Sequence, residues 1–167
     1  GGTSGADPSV ANIDFVISKM DVNGNLLWSK RSDTVGSGND GLRDMVVDAA
    51  GNIYLTGFSY GLLATQTQQS YDFLTIKYDT NGNLLWSKKY GKADGFDDFP
   101  SSLKIDSNGN VYVAGFSWDL NVFADYATLK YDANGNLLWE RRLSTAEGEA
   151  PNELTVDSNG NVFVTGF

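Results

Sequence analysis

The hexapeptide Asn-Gly-Asn-Leu-Leu-Trp occurs three times, at 23–28, 81–86 and 134–139, spaced first 58 and then 53 residues apart. A second motif interleaves with it: the stretch 48–58, DAAGNIYLTGF, returns at 106–116 and at 157–167, offset by 58 and then 51 residues. A period of this length means that the chain is built from copies of one supersecondary unit, each too small to hide its own apolar face and stable only by stacking on the next. The three copies run roughly over 1–58, 59–116 and 117–167.

Inside each copy, runs of β-branched and aromatic residues alternate with Asn-Gly and Gly-Asn punctuation, and no window shows a helical period. Four short strands per unit follow, labelled A to D; in the middle copy they fall near 102–106, 110–115, 125–131 and 137–142. The A–B and C–D connections, such as 106–110 and 132–136, read as tight hairpins in which glycine supplies a positive φ. Strand C alternates, with Leu74, Ile76 and Tyr78 on one side and Phe73, Thr75 and Lys77 on the other, as expected of a sheet covered on both faces by neighbouring sheets. Strand D carries Lys30-Arg31, Lys88-Lys89 and Arg141-Arg142, and charge on an outermost strand discourages edge-to-edge pairing. The predicted fold is therefore all-β, a series of four-stranded antiparallel meanders stacked as the blades of a β-propeller. In chain order the strands spell C-D, A-B-C-D, A-B-C-D, A-B, or two whole blades and two half blades. A propeller closes with about four to eight blades, so a larger ring is expected. The chain is then a segment of a longer polypeptide, in keeping with its start at Gly1-Gly2, or it completes its half blades with another copy.

The patterns D-[FY]-x-x-x-K-x-D-x-N-G-N-L-L-W and D-x-x-G-N-[IV]-[YF]-[LV]-[TA]-G-F resemble the SBBP β-propeller repeat family of secreted bacterial proteins. The resemblance implies the propeller fold, an exported setting and a place as one module of a large surface protein. It implies no particular ligand and brings no catalytic motif.

Charge and composition narrow the function. The formal net charge is −9, from 21 acidic and 12 basic residues, which repels phosphate backbones and anionic lipid headgroups. No stretch approaches the roughly 20 apolar residues of a membrane helix, and none resembles the apolar core of a signal peptide. Cysteine and histidine are both absent. That removes disulfides, thiolate nucleophiles, imidazole bases and the usual zinc, copper and haem ligands.

In a meander, successive connections alternate between the two ends of the sheet. The uniform A–B and C–D turns share one end, and the B–C and D–A connections, which vary in length and sequence, share the other. Variable loops on a fixed scaffold are where ligands are expected. The candidate residues there are Tyr60 and Trp118 from the B–C loops with Asp94, Asp97, Asp98, Glu147 and Glu149 from the D–A loops. An aromatic ring beside carboxylates suits a sugar or a basic peptide; the competing reading has Trp118 packing over a blade end and the acids solvating loops. Asp79, Asn81 and Asn83 present oxygens at alternate positions, as a calcium loop does, yet the sixth-position glycine and terminal bidentate Glu of an EF-type loop are missing, and an Asx-stabilised hairpin explains the same residues. Trp28, Trp86 and Trp139 read as packing residues of the repeat. Asp97 and Asp98 supply two acids for a glycosidase, but neighbours on a strand point to opposite sides. Asp33-Thr34-Val35 matches a short bacterial O-glycosylation pattern. The expected function is a non-catalytic scaffold or binding module of a secreted or cell-surface bacterial protein, with no cofactor and with protein or carbohydrate as partner. The alternatives are an extracellular structural subunit that completes half blades between chains, and a propeller-type hydrolase.

Overall fold

The computed structural model describes residues 15–31, 39–61, 63, 66–92, 95–118, 124–144 and 150–167, and the account below concerns these. They form twelve strands and no helix. β1 (Val16–Met20) and β2 (Leu26–Arg31) make a two-stranded sheet; β3 (Asp40–Val47), β4 (Ile53–Gly61), β5 (Ser70–Tyr78) and β6 (Leu84–Tyr90) make a four-stranded sheet in chain order. β7 (Asp98–Ile105), β8 (Val111–Ser117), β9 (Asp125–Tyr131) and β10 (Leu137–Leu143) repeat that sheet, and β11 (Pro151–Val156) pairs with β12 (Val162–Gly166). All the pairings are antiparallel. The sheets are the expected C-D, A-B-C-D, A-B-C-D and A-B sets, and the two four-stranded ones are called blade one and blade two.

The five-residue pattern Asp-x-x-Gly-Asn makes every hairpin turn. At Asp106 the main chain closes with Asp106 N–H to Asn110 O and Gly109 N–H to Asp106 O, both 3.0 Å. The carboxylate then organises the interior of the turn: Oδ1 accepts the N–H groups of Asn108 and Asn110 at 2.9 Å, and Oδ2 accepts the Asn110 side-chain amide at 2.7 Å. The same bonds recur at Asp21, Asp48, Asp79, Asp132 and Asp157. The glycine sits at φ between +77° and +85° in all six turns, a region in which a side chain would be strained.

Apolar layers between consecutive sheets hold the stack together. Phe15 and Ile17 meet Ile53, Leu55, Leu74, Ile76 and Tyr78 on one face of blade one. The other face, with Tyr54 and Phe73, packs on Leu103, Val111, Val113, Ala127 and Leu129 of blade two. Tyr112 and Ala114 carry the stack on to Leu154 and Val164. Strand C is thus covered on both sides, with Leu74, Ile76 and Tyr78 facing away from Phe73 as its alternation implied. The tryptophans fix one sheet against the next: Trp28 Nε1–H donates to Thr80 O at 3.3 Å, and Trp86 Nε1–H donates to Ala133 O at 3.1 Å. Lysines reinforce the same contact, since Lys19 Nζ reaches Thr80 O at 3.1 Å and Lys77 Nζ reaches Ala133 O at 3.2 Å. The C–D turns of blades one and two are therefore each gripped by a tryptophan and a lysine of the preceding sheet.

β6 and β10 lie at sheet edges, where the sequence placed them. Their basic pairs divide, however. Arg141 is exposed, whereas Arg142 folds inward, with its side chain 10% accessible, to pair with Asp125 at 2.9 Å.

Candidate functional site

The six Asp-x-x-Gly-Asn turns occupy one end of the sheets, so the B–C and D–A connections lie at the other. Two layers of side chains build that end. Beneath the loops, residues at this end of the strands form a polar row that repeats from blade to blade. Asp98 on β7, Ser117 on β8 and Asp125 on β9 are paired neighbours across blade two, as Asp40, Ser59 and Asp72 are across blade one. All six are buried. Arg142 closes the blade-two row: its guanidinium donates to Ser117 Oγ at 2.6 Å, to Ser117 O at 3.1 Å and to Asp125 Oδ2 at 2.9 Å. Lys89 holds the corresponding position in blade one.

Burial without full pairing dominates the electrostatics of this row. Asp98 is inaccessible to solvent. That burial pushes its carboxyl up to about 7, against hydrogen bonds from Ser117 and the Lys92 N–H that favour the charged form and with the charge of Asp72 adding to the rise. Asp72 is raised for the same leading reason, desolvation, opposed by hydrogen bonds from Gln66 and Ser70 and by the Lys89 charge. Gln66 Nε2 donates to Asp72 Oδ1 at 3.0 Å. The turn aspartates behave oppositely: the amide of Asn136, first, and the neighbouring N–H groups hold Asp132 below the usual carboxylate range.

Flanking the polar row along the strands lies a continuous group of half-buried rings, Tyr60 and Tyr71 one residue nearer the loops and Phe58, Phe99 and Phe116 one residue further from them. Tyr60 packs on Tyr71 with centroids 5.0 Å apart, Tyr71 on Phe58 at 5.3 Å and on Phe99 at 5.4 Å, and Phe99 on Phe58 at 5.1 Å and on Phe116 at 5.4 Å. Arg43 lies over Phe58, 5.2 Å from its centroid. The platform spans both blades, because Phe58, Tyr60 and Tyr71 belong to the first and Phe99 and Phe116 to the second.

The structure separates the residues singled out in the sequence. Tyr60 is in the platform. Trp118 is 38% exposed, and its backbone N–H meets Asp97 O at 3.3 Å. Asp97 turns its carboxylate to the Tyr71 N–H, 3.0 Å away. Asp98, read from the sequence as a loop acid, is instead the first residue of β7, because strand pairing with Ser117 extends further than the sequence pattern shows. Asp94, Glu147, Glu149 and Asp33 lie outside the described residues. Asp79, Asn81 and Asn83 lie at the opposite end, where both oxygens of Asp79 already accept N–H groups. Sequence reasoning missed Phe58, Tyr71, Phe99, Phe116, Asp72 and Asp125. Four of these, Phe58, Phe116, Asp72 and Asp125, stand at repeated motif positions, and that repetition was the available signal.

The turn end also carries an open groove of about 610 Å³ between the Asp48 and Asp106 turns, lined in part by Tyr54 and Lys77. Its polar groups are engaged internally: Tyr54 donates to Asp48 Oδ2 at 3.2 Å, and Lys77 lies 4.9 Å from the Tyr54 centroid while bonding to Ala133 O.

Four-stranded meanders that stack face to face in chain order, joined by alternating constant and variable ends, define the class: consecutive blades of a β-propeller. Residues 85–123 match the model of the SBBP family, described as a beta-propeller repeat. More distant similarity reaches a WD repeat-containing protein of Acanthamoeba polyphaga mimivirus, 27% identical over 119 residues covering 58% of this chain and 8% of that protein. It also reaches the regulatory protein FlaEY of Caulobacter vibrioides, 28% identical over 109 residues covering 57% of this chain and 11% of that protein. The chain thus spans about a tenth of the length of these curated relatives. Among the described residues, no helix is long and apolar enough to cross a membrane.

Proposed function

We propose that this chain is a non-catalytic binding and scaffold module of a secreted or cell-surface bacterial protein, and that it presents the five-ring platform of Phe58, Tyr60, Tyr71, Phe99 and Phe116 to a carbohydrate or protein partner. The observation that carries the reading is the placement of these rings at the variable end, each half-buried and set across two blades. Rings held edge to edge on a rigid support offer contact area at little entropic cost, and partly exposed faces suit the apolar face of a sugar or the side chains of a peptide. Trp118 and Asp97 lie beside the platform and add a ring and a carboxylate. The match of residues 85–123 to a propeller repeat model and the similarity to a WD repeat-containing protein support a role in binding over one in turnover. The secreted setting rests on the family resemblance.

The experiment is a titration of the chain with soluble polysaccharides and with basic peptides, read by intrinsic fluorescence and by calorimetry. A ligand of the platform loses affinity at least tenfold with Tyr60→Ala, which removes a half-exposed ring, while the β-sheet circular dichroism is unchanged. Binding that is indifferent to Tyr60→Ala and Trp118→Ala would move the site elsewhere. Turnover of a glycoside that survives in Asp97→Asn but not in Asp98→Asn would replace the reading with a hydrolase.

A further inference from the structure

The two blades offer an internal control for one buried charge. In blade two the β9 carboxylate, Asp125, is matched by the Arg142 guanidinium at 2.9 Å. In blade one the corresponding carboxylate is Asp72, and Arg142 is replaced by Lys89, which no hydrogen bond or ion pair joins to Asp72 among the described residues. Asp72 is nevertheless 0% accessible. Its Oδ1 accepts Gln66 Nε2 and, at 3.3 Å, Ser70 Oγ, but its Oδ2 is buried without any partner. Asp98, arriving from blade two, repeats the pattern: Oδ2 accepts the Lys92 N–H at 3.1 Å, and Oδ1 is buried without a partner. The two carboxylates approach the start of the D–A crossing through their partnered oxygens, Asp72 Oδ1 and Asp98 Oδ2. A Cβ at Gly91 would overlap Asp72 Oδ1 and stand 3.1 Å from Asp98 Oδ2. Glycine there leaves room for both acids to approach one stretch of backbone.

Orphaned carboxylate oxygens in an enclosed place call for a compensating positive charge, since burying an unpaired carboxylate costs several kcal/mol even after relaxation. The charge of Asp97 adds to the burden on Asp72, while that of Lys89 opposes it. We propose that the crossing from blade one to blade two holds a hard, oxygen-seeking cation of the calcium class, with Asp72 and Asp98 as its carboxylate ligands. The donor set is oxygen only, in a chain with no His or Cys, which excludes the softer metals. Enclosure disfavours magnesium, which dehydrates reluctantly, and favours calcium, which takes about six to eight oxygens in flexible geometry from carboxylates, carbonyls and water. Bound there, the ion ties Asp98 of blade two to Asp72 of blade one.

The test is thermal unfolding of the chain after chelator treatment, with and without added calcium chloride, together with calorimetric titration by calcium alone. Calcium should raise the melting temperature and titrate with a stoichiometry of about one ion per chain; an ion that binds only the folded form stabilises in proportion to the logarithm of its concentration. Asp72→Asn and Asp98→Asn keep the side-chain volume and should each abolish the rise, while Asp79→Asn, at the opposite end, should leave it intact. Terbium luminescence sensitised by the nearby tyrosines, and its competition by calcium, reads the same site on the unmodified chain should a variant fail to fold. No rise and no competition would overturn the proposal. So would a rise that survives in the Asp72→Asn, Asp98→Asn double variant, one that disappears with Asp79→Asn, or stability that answers to pH while ignoring calcium.

Discussion

Aspartate does two opposite things in this chain, and the difference is hydrogen-bond supply. In the turns each carboxylate receives at least three N–H groups while staying at the surface, so its charged form is favoured. Asp106 is typical: desolvation alone would raise its carboxyl, but the Asn110 amide, the Asn110 and Asn108 N–H groups and the Tyr112 hydroxyl outweigh it and hold it low. A carboxylate whose folded pKa is depressed contributes stability above its unfolded value of 3.8, and that contribution is lost as pH falls through the folded value. Asp106→Ala should therefore cost about 1.5–3 kcal/mol at pH 7, the range for hydrogen bonds to a charged group, and the cost should shrink in acid; urea unfolding at pH 7 and pH 3 measures both. Asp98 has the reverse sign. With a folded value of about 7, its contribution is fully present below the unfolded carboxylate value and is lost as pH rises through 7. In chelator, Asp98→Asn should flatten the decline of stability between pH 4 and pH 8 and make the variant the more stable of the two at pH 8. A wild-type melting temperature that did not fall over that interval more than the variant's would contradict the assignment of the slope to Asp98.

At the scale of the strand, repetition marks positions whose reason appears only in the sheet. The Gly-Phe that ends each copy of the second motif is an example. Gly57, Gly115 and Gly166 each lie opposite a β-bulge in strand A, where the register slips between Leu42 and Asp44, between Pro100 and Ser102, and between Pro151 and Glu153. The bulge drives a strand-A carbonyl against the glycine, so that a Cβ at Gly115 would overlap Phe99 O and meet Phe73 Cζ at 2.5 Å. Gly115→Ala should cost about 1–3 kcal/mol through overpacking, seen as a lower urea midpoint at unchanged slope, although its φ is one that alanine adopts freely. Arg142→Met should cost about 3–5 kcal/mol, because it leaves Asp125 buried and unpaired, and Asp125→Asn should recover part of that loss. The hairpins, the strand order and the stacking faces were legible in the sequence because each rests on local pattern: Asp-x-x-Gly-Asn, a period of two, and recurrence. The polar row and the ring platform were not. Asp72 and Phe99, or Asp98 and Ser117, are brought together by strand pairing and by the packing of one blade on the next, and no spacing along the chain announces those distances. Asp98 reads as a loop residue because the sequence pattern starts strand A near 102, whereas β7 begins at Asp98, whose buried carboxylate accepts the Lys92 N–H.

Across the whole molecule, the main sheet-to-sheet contacts among the described residues run between neighbours in sequence, so stability is distributed along a line of interfaces rather than gathered in one core. β8 shows what two such interfaces provide: Val111, Tyr112, Val113 and Ala114 are all 0% accessible, with alternate residues committed to opposite neighbours. β12 has one interface, and Phe163 remains 55% exposed. In a linear array of this kind, local opening costs only the contacts of the units that open. Amide exchange should accordingly be graded in this chain, slowest in β4, β5, β8 and β9, which have paired strands on both sides and packed layers on both faces, and faster in the two-stranded sheets β1–β2 and β11–β12. The Trp28 and Trp86 clamps couple each sheet to the following C–D turn, so Trp86→Phe, which keeps a ring but loses the hydrogen bond to Ala133 O, should accelerate exchange in the β9–β10 hairpin more than in β3–β4, on the far side of the same blade. Exchange that collapsed uniformly over all twelve strands would instead mean that the stack opens as a single cooperative unit and that the interfaces between blades are stronger than the pairings within them.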